Sequence, residues 1–212
     1  INLFDLPDGW EIILGNGGTT LFWDAASFGL IEYVSQHLDF GEFSSKFAQV
    51  VQAAPHLAEP QIISSEPGTH PLPIASNVDT YALTHNETST GVSAVLSRPT
   101  SEGLVLVDAT SAAGAIQWNS SEVDCYYFAP QKALGSDGGL WLAACSPRAV
   151  ERIELLASGD RWIPAGLDLG IALTNSRQNQ TYNTPSLATI LLAAETVDWI
   201  NESGGLQWSE AR

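Results

Sequence analysis

The segment GLVLVDAT, residues 103–110, is almost wholly apolar until it reaches an aspartate, and this pattern decides the fold. A strand with one face in solvent alternates apolar and polar residues, whereas a strand covered on both faces reads as a continuous apolar run. Cover on both faces is typical of a parallel sheet that lies between layers of helices. Further short runs are predicted as strands at residues 10–15, 60–65, 79–85, 124–130 and 139–145.

Longer segments alternate with these runs, and the spacing of their apolar residues predicts helices. Two of the helices are predicted to carry a proline in the first turn, where the missing N–H is tolerated. The predicted helices cover residues 19–31, 42–54, 147–158 and 185–201. The sequence therefore predicts one α/β domain over residues 1–212, with a mainly parallel central sheet and helices on both faces. An open sheet is favoured over a barrel because the strands are few and irregularly spaced.

Composition excludes several classes of partner. With 24 acidic and 8 basic residues the formal net charge is −16, so no nucleic-acid partner is predicted. No apolar run approaches the roughly 20 residues that a membrane span needs, so no membrane partner is predicted. Cys125 and Cys145 lie in strand-like apolar runs without the spacing of metal ligands. We expect buried free thiols in a reducing, cytoplasmic compartment, and no bound metal.

Ligands of an open α/β sheet bind beyond the carboxyl ends of the strands, so the residues that follow each strand are the candidates. The first strand leads into GNGGTT (15–20), which opens a helix. Accessible backbone N–H groups of a glycine-rich turn at a helix N-terminus can bind an anion such as a phosphate. The alternative is that the glycines are needed only for tight packing. HNETSTG (85–91) places polar side chains where another strand ends, which a turn with side-chain-to-backbone hydrogen bonds would explain equally well.

Two charged residues also follow strands. Asp108 comes after four apolar residues, and a carboxylate there is poorly solvated unless a cation pairs with it. We interpret it as the counter-charge of a protonated ligand nitrogen, with a local helix cap as the alternative. Lys132, one of only two lysines, follows the aromatic run YYFAPQ (126–131). A lysine desolvated by aromatic residues is suited to forming a Schiff base, and a snorkelling surface lysine is the alternative.

An anion site, an acid for a pyridine-like nitrogen and a Schiff-base lysine are together the parts of a pyridoxal 5′-phosphate enzyme. Five segments then carry a resemblance to a known family. They are GNGGTTLFWDAASFGLI (15–31), HNETSTG (85–91), DATSAAGA (108–115), YYFAPQKALGSDGGLWLA (126–143) and NQTYNTPSLAT (179–189). In this order they resemble the phosphoserine aminotransferase family, in its actinobacterial branch, a class V group of fold-type I enzymes. The resemblance runs over essentially the whole chain.

The resemblance implies a pyridoxal 5′-phosphate cofactor and two catalytic residues. Lys132 would bind the cofactor as a Schiff base and carry the proton during amino transfer. Asp108 would pair with the pyridinium nitrogen and so maintain the electron sink. Asn183 and Thr184 would reach the cofactor phosphate of a neighbouring subunit, which implies a homodimer with a shared active site.

The remaining cofactor contacts are also implied by the resemblance. Gln131 and the backbone at Gly18 and Thr19 would hold the cofactor phosphate. Thr88 would contact the ring substituents. Phe43 stands where other branches of the family place a tryptophan stacked on the ring.

The implied reaction transfers an amino group from glutamate to 3-phosphohydroxypyruvate, giving O-phospho-L-serine and 2-oxoglutarate in serine biosynthesis. The alternatives are another class V aminotransferase, such as the alanine–glyoxylate type, and a truncated, non-catalytic phosphate-binding domain. The family's N-terminal His-Arg segment and its small C-terminal domain do not match any part of the sequence. We therefore expect residues 1–212 to be the cofactor-binding large domain of a longer protein.

Overall fold

The computed structural model describes residues 2–99 and 102–212, which form alternating strands and helices. The strands are β1 (Glu11–Asn16), β2 (Ser35–Asp39), β3 (Gln61–Ser64), β4 (Thr80–Thr84), β5 (Asn86–Glu87), β6 (Val92–Ser93), β7 (Leu104–Asp108), β8 (Cys125–Phe128) and β9 (Leu140–Cys145). The helices are α1 (Thr19–Gly29), α2 (Glu42–Ala53), α3 (Pro147–Ala157), α4 (Leu169–Ser176), α5 (Leu187–Ser203) and α6 (Gly205–Glu210). Short 3-10 turns occur at Asn2–Phe4, Ser120–Glu122 and Ala165–Leu167.

Seven strands form one open sheet in the order β1-β9-β8-β7-β4-β2-β3. The pairs β8–β7, β7–β4, β4–β2 and β2–β3 are parallel, whereas β9 is antiparallel to both of its neighbours. The predicted α/β class with a mainly parallel open sheet is therefore confirmed. Strands β5 and β6 form a separate small hairpin beyond the end of β4.

Both faces of the sheet are buried, as the apolar strands indicate. Successive residues of β8 point to opposite faces, so Cys125 and Tyr127 join the core beneath helices α1 to α4. Tyr126 and Phe128 join the core on the other face, which the N-terminal 3-10 turn, α5 and α6 cover. The predicted helices on both faces are thus confirmed, and both cysteines are buried free thiols as expected.

Strand β2 was not predicted from the sequence, because its residues SQHLD are polar rather than apolar. The strand is nevertheless buried between β4 and β3, since its polar groups find partners inside the protein. The Ser35 hydroxyl lies 2.9 Å from His37 Nε2, and the Gln36 amide donates to the backbone oxygen of Ile74 at 2.9 Å. Satisfied polar groups can occupy a core position that composition alone would place in a loop.

One of the two predicted first-turn prolines is placed correctly. Pro147 is the first helical residue of α3, and the Ser146 hydroxyl caps that helix by accepting a hydrogen bond from Ala149 N. Helix α5 instead begins at Leu187 after the N-cap Ser186, so Pro185 lies before the cap and its predicted place inside the first turn was wrong. The capping serine decides the start there, because its hydroxyl satisfies a first-turn N–H.

No helix among residues 2–99 and 102–212 is long and apolar enough to cross a membrane.

The buried imidazole of His37 makes stability depend on pH. Burial lowers its pKa to about 3, below the ordinary value of 6.5. Between these values only the unfolded chain takes up the proton, so the free energy of unfolding falls as the pH falls, by up to about 1.4 kcal/mol per unit. In His37→Gln the free energy of unfolding should fall less steeply between pH 6.5 and 4, because up to one proton fewer is taken up on unfolding. Urea unfolding at each pH measures this slope. An unchanged slope would contradict the assignment.

Candidate functional site

A cleft of about 160 Å³ opens at the carboxyl edge of the sheet, where β4 and β7 end and where α1 and α2 begin. The turn after β8 closes one side of it. The cleft is lined by Thr19, Thr20, Trp23, Phe43, Thr84, Asn86, Thr88, Asp108, Thr110, Ser111, Gln131 and Lys132. Six of these were predicted as site residues from the sequence, namely Thr19, Phe43, Thr88, Asp108, Gln131 and Lys132. The fold brings them together from five separate segments.

Asp108 is the last residue of β7, and its carboxylate is buried at the floor of the cleft. Thr110 donates twice to Oδ1, from its backbone N at 2.9 Å and from its hydroxyl at 2.6 Å. The indole Nε1 of Trp23 donates to Oδ2 at 3.1 Å. Burial raises the pKa of Asp108, and the hydrogen bonds from Thr110 and Trp23 oppose that rise.

No helix of the described residues begins at Asp108, so the helix-cap alternative does not hold, and the interpretation as a ligand counter-charge stays a prediction. Oδ1 instead makes a local turn contact, since it accepts a hydrogen bond from the N–H of Thr110 two residues on. Oδ2 is bound from a different element, by Trp23 of α1. Asp108 has no cationic partner in a salt bridge among residues 2–99 and 102–212, so the carboxylate can pair with a cationic ligand group.

The predicted surroundings of Lys132 need correction, because its side chain is exposed rather than desolvated by aromatic residues. Strand β8 ends at Phe128, so the aromatic side chains are left behind in the two cores. Hydrogen bonds from Gly135 N to Lys132 O at 2.9 Å and from Ser136 N to Pro130 O at 3.1 Å then fold a tight turn. This turn holds the lysine at the rim of the cleft. Within the described part of the chain its amine has no hydrogen bond or salt bridge, so it is available to a ligand.

The glycines of the turn before α1 have different roles, some in packing and backbone conformation and one suited to ligand binding. A Cβ on Gly15 would lie 2.1 Å from the Trp141 ring, so packing alone demands that glycine. Gly17 has φ +108°, a left-handed conformation that favours glycine. Gly18, the N-cap of α1, has φ −120°, and a Cβ added there would meet no atom within 4 Å, so neither reason applies to it. Open space beside an uncapped helix N-terminus suits an anionic ligand group.

Phe43 reaches the cleft because a buried carboxylate holds the start of α2. Glu87 is fully buried, and its Oε2 accepts hydrogen bonds from Phe43 N at 3.1 Å and Ser44 N at 2.9 Å. Its Oε1 accepts from the Ser89 hydroxyl at 2.7 Å. A Cβ on Gly41 would lie 2.4 Å from Glu87, so glycine is required for this close approach. Glu87, the last residue of β5, thus ties the first turn of α2 to the strand that Thr88 follows.

Thr88 belongs to a small hydrogen-bonded group at the rim. The Ser111 hydroxyl accepts from Asn86 Nδ2 at 2.8 Å and from the Thr88 hydroxyl at 2.9 Å. It donates in turn to the backbone oxygen of Asn86 at 3.0 Å. These contacts connect the HNETSTG segment to the turn after β7, and of that segment Asn86 and Thr88 line the cleft.

Asn183 and Thr184 do not join the cleft. The backbone oxygen of Thr184 accepts from Asn16 Nδ2 at 3.3 Å, and Asn183 lines a separate cavity beside Asn16 and Trp141. Both residues are exposed. Their predicted role in a neighbouring subunit stays a prediction.

Trp23 and Thr110, the residues that hold Asp108, were not predicted from the sequence. Trp23 lies four residues after Thr19 in α1, and this spacing places both on the same face of the helix. The Thr110 hydroxyl lies 2.9 Å from that of Thr19, which links the start of α1 to the end of β7. This spacing was visible in the sequence, but a tryptophan in an apolar helix is expected to pack in the core.

The arrangement offers a free primary amine, a buried carboxylate, a helix N-terminus and an aromatic ring around one cleft. These groups can bind a flat ligand that carries a cationic nitrogen at one end and an anionic group at the other. Among residues 2–99 and 102–212, no cluster of three or more His, Cys, Asp or Glu side chains could hold a metal ion.

Comparison with known proteins also indicates an aminotransferase. Residues 66–212 match the family model of class V aminotransferases. A phosphoserine aminotransferase of Nocardioides sp. is 57% identical over 215 residues, which cover 99% of this chain and 58% of that protein. A phosphoserine aminotransferase of Rhodococcus jostii is 51% identical, over 100% of this chain and 57% of that protein. The chain therefore spans less than two thirds of the length of these relatives.

Solved structures share the fold. A phosphoserine aminotransferase from Cytophaga hutchinsonii superposes with a TM-score of 0.90 at 23% identity, covering 99% of this chain and 60% of that one. A pyridoxal-phosphate-bound phosphoserine aminotransferase from Trichomonas vaginalis gives a TM-score of 0.77 at 21% identity, over 99% and 58% of the two chains. At these identities the likeness concerns the fold, which is that of fold-type I aminotransferases.

The buried contacts of Glu87 lead to a stability prediction. Glu87→Gln replaces one acceptor oxygen by an amide donor facing N–H and O–H groups, which should lower the free energy of unfolding by about 2 kcal/mol. Glu42→Gln is the matched control, because Glu42 is exposed in the first turn of α2, the turn that Glu87 binds. The Glu42 carboxylate pairs with Lys46 at 2.5 Å. That change should cost less than about 1 kcal/mol. Equal losses in urea unfolding would contradict the role of Glu87.

Proposed function

Because the chain belongs to the aminotransferase class V family, we propose that this protein is a pyridoxal 5′-phosphate-dependent phosphoserine aminotransferase. It would transfer an amino group between glutamate and 3-phosphohydroxypyruvate, giving O-phospho-L-serine and 2-oxoglutarate. The observation that carries the proposal is the meeting of Lys132 and Asp108 in one cleft. That cleft lies in a chain 57% identical to a phosphoserine aminotransferase.

The residues of the cleft fit this cofactor. Thr19, which lines the cleft, and the N-cap Gly18 before it offer backbone amides at the start of α1 to a phosphate, and Gln131, which also lines the cleft, offers a side-chain amide. Asp108 offers a buried carboxylate without a cationic partner in the described residues, which suits a protonated ring nitrogen. Phe43 contributes an aromatic face at the rim. When bound, the cofactor supplies an electron sink that makes the substrate Cα–H acidic.

Lys132 would anchor the cofactor through its Nζ atom and then act as the base and acid that moves the proton. Its exposure at the rim allows the amine to reach both a ligand in the cleft and a substrate arriving from solvent. The tight turn at Gly135 and Ser136 limits how far the lysine backbone can move. A positioned base of this kind contributes about 10²–10⁴-fold to a rate.

Asp108 would hold a proton on the ring nitrogen, and it must be ionised to do so. Burial acts against ionisation by raising the pKa of Asp108, and three hydrogen bonds counteract it. The bound cationic ring would favour the ionised form further, since an opposite charge in a buried site lowers a carboxyl pKa.

The chain supplies little of what would hold the substrate. Of its eight lysines and arginines, all within the described residues, only Lys132 lines the cleft. The two anionic groups of 3-phosphohydroxypyruvate therefore require cations from a partner subunit or from polypeptide outside residues 1–212. We propose that residues 1–212 form the cofactor-binding large domain of a cytoplasmic homodimer. Asn183 and Thr184, exposed on the loop before α5, would then contact the partner's cofactor phosphate.

The main rival within the family is an aminotransferase of the alanine–glyoxylate type. An assay of the natural polypeptide with glutamate and 3-phosphohydroxypyruvate, against alanine and glyoxylate, separates the two. We expect turnover with the phosphorylated oxo-acid at least about 100-fold above that with glyoxylate, because an anion-binding site loses charged hydrogen bonds when its ligand lacks them. Preference for glyoxylate would contradict the proposal.

The two lysines of the chain give a clean test of attachment. Borohydride reduction in the presence of pyridoxal 5′-phosphate should fix the cofactor on the peptide that contains Lys132, located by mass spectrometry. Lys132→Ala should abolish this label, whereas the control Lys46→Ala should retain it, since Lys46 pairs with Glu42 on the surface of α2. A label that persists in Lys132→Ala would refute the assignment.

The glycines before α1 give a second test. Gly18→Ala should raise the dissociation constant of pyridoxal 5′-phosphate about tenfold, because the methyl group enters space proposed for the phosphate. It should cost at most about 1 kcal/mol of stability, the usual loss for alanine at an N-cap. Gly15→Ala should instead destabilise the fold by about 2 kcal/mol through its clash with Trp141. Equal changes of cofactor affinity and of stability in the two variants would contradict this division of roles.

A further inference from the structure

Trp23 makes a contact that core packing does not require. Its indole is 3% exposed in the core between α1 and the sheet. The Nε1 atom donates to Asp108 Oδ2 at 3.1 Å, across 85 residues of sequence. The flat side of the ring meanwhile stacks on Phe47, with ring centres 6.2 Å apart. The side chain therefore combines a packing surface with one directed polar contact to the floor of the cleft.

The two oxygens of Asp108 are held from two different directions. Thr110, on the turn after β7, holds Oδ1, and Trp23, on α1, holds Oδ2. A carboxylate bound through one oxygen can still swing about that contact, because the terminal torsion of Asp is broad. With both oxygens bound, the plane of the carboxylate is fixed.

The charges around Asp108 make the contact matter. The buried carboxylate of Glu87 opposes its ionisation, and so does burial itself, which is the larger cause of the raised pKa. Tyr126 and Tyr127 lie beside it as neutral phenols, because burial raises the pKa of each. Lys132 is the one cationic side chain among the described residues that line the cleft. N–H and O–H donors must therefore do most of the stabilisation of a charged Asp108 before a ligand enters.

We propose that Trp23 is a positioning residue, which holds the Asp108 carboxylate in the orientation that meets the protonated ring nitrogen of the cofactor. The inference rests on the proposed function for the identity of the ligand. Trp23 lies one turn beyond Thr19, the first residue of α1. One rigid helix thus carries both the amides proposed for the phosphate and the indole that orients Asp108, so α1 sets the spacing between the two ends of the cofactor site.

The substitution Trp23→Phe separates this role from packing, since it keeps an aromatic ring and removes the N–H donor. Trp118→Phe is the matched control. Its Nε1 is buried without a hydrogen-bond partner in the described structure, and its ring stacks on Tyr126 with centres 4.1 Å apart, outside the cleft. The control thus makes the same chemical change to a partly buried tryptophan, whose Nε1 is itself buried, without removing a hydrogen bond.

In the holoprotein, Trp23→Phe should raise the dissociation constant of pyridoxal 5′-phosphate about tenfold, the value of one hydrogen bond to a charged group. The acid limb of cofactor binding and of the cofactor absorbance should also move to higher pH, because Asp108 is protonated more readily without the indole donor. Trp118→Phe should change neither property. In an Asp108→Asn background, Trp23→Phe should have little further effect, since its contact acts through that carboxylate.

A readout without cofactor keeps the proposal separate from the proposed function. In the apoprotein, the carbon-13 signal of the Asp108 carboxyl should titrate at higher pH in Trp23→Phe than in wild type or Trp118→Phe. Equal midpoints in the three proteins would overturn the role of Trp23, as would equal effects of Trp23→Phe with and without Asp108. Failure of the wild type to bind pyridoxal 5′-phosphate would instead overturn the proposed function and the ligand assigned to Asp108.

Discussion

The burial of the Asp108 carboxylate is the constraint on which the rest of the site depends. A carboxylate at the end of a central strand, covered by helices, is costly unless donors or a cation compensate it. The fold supplies donors from both sides, through Thr110 on the adjoining turn and Trp23 on α1. It leaves the cation to a ligand. That division makes Asp108 a receptor for positive charge rather than part of a structural ion pair.

A second buried carboxylate, Glu87, does a different task. All of its contacts come from backbone N–H groups and a serine hydroxyl at the start of α2 and the adjoining turn. It resembles a helix cap supplied from another segment, and it places Phe43 at the rim of the cleft. The two acids illustrate how surroundings decide function. Glu87 is satisfied by the protein, whereas Asp108 keeps room for a ligand. In a chain of net charge −16, such local arrangements rather than the overall field must recruit an anionic cofactor.

Much of this could be predicted from the sequence, because the apolar strands such as LVLVD specify a sheet covered on both faces and the strand ends specify where a ligand binds. Six predicted residues do line the cleft. Strand β2 was missed because its buried serine, glutamine and histidine satisfy one another and neighbouring groups, which composition does not reveal. Trp23 was missed for a related reason, since a hydrogen bond across 85 residues depends on tertiary structure. The exposure of Lys132 follows from the turn after Phe128, and turn geometry is not encoded in the aromatic run before it.

The central claim is that one cleft holds a pyridoxal 5′-phosphate between Asp108 and Lys132. The most direct measurement is a crystal structure of the natural polypeptide that contains this chain, grown with pyridoxal 5′-phosphate. We predict the ring nitrogen about 3 Å from Asp108 Oδ2, with Trp23 still bound to that oxygen and Lys132 Nζ joined to the cofactor. The phosphate should lie at the first turn of α1, beside Gly18. A cofactor bound elsewhere, or a ring nitrogen without contact to Asp108, would contradict the claim.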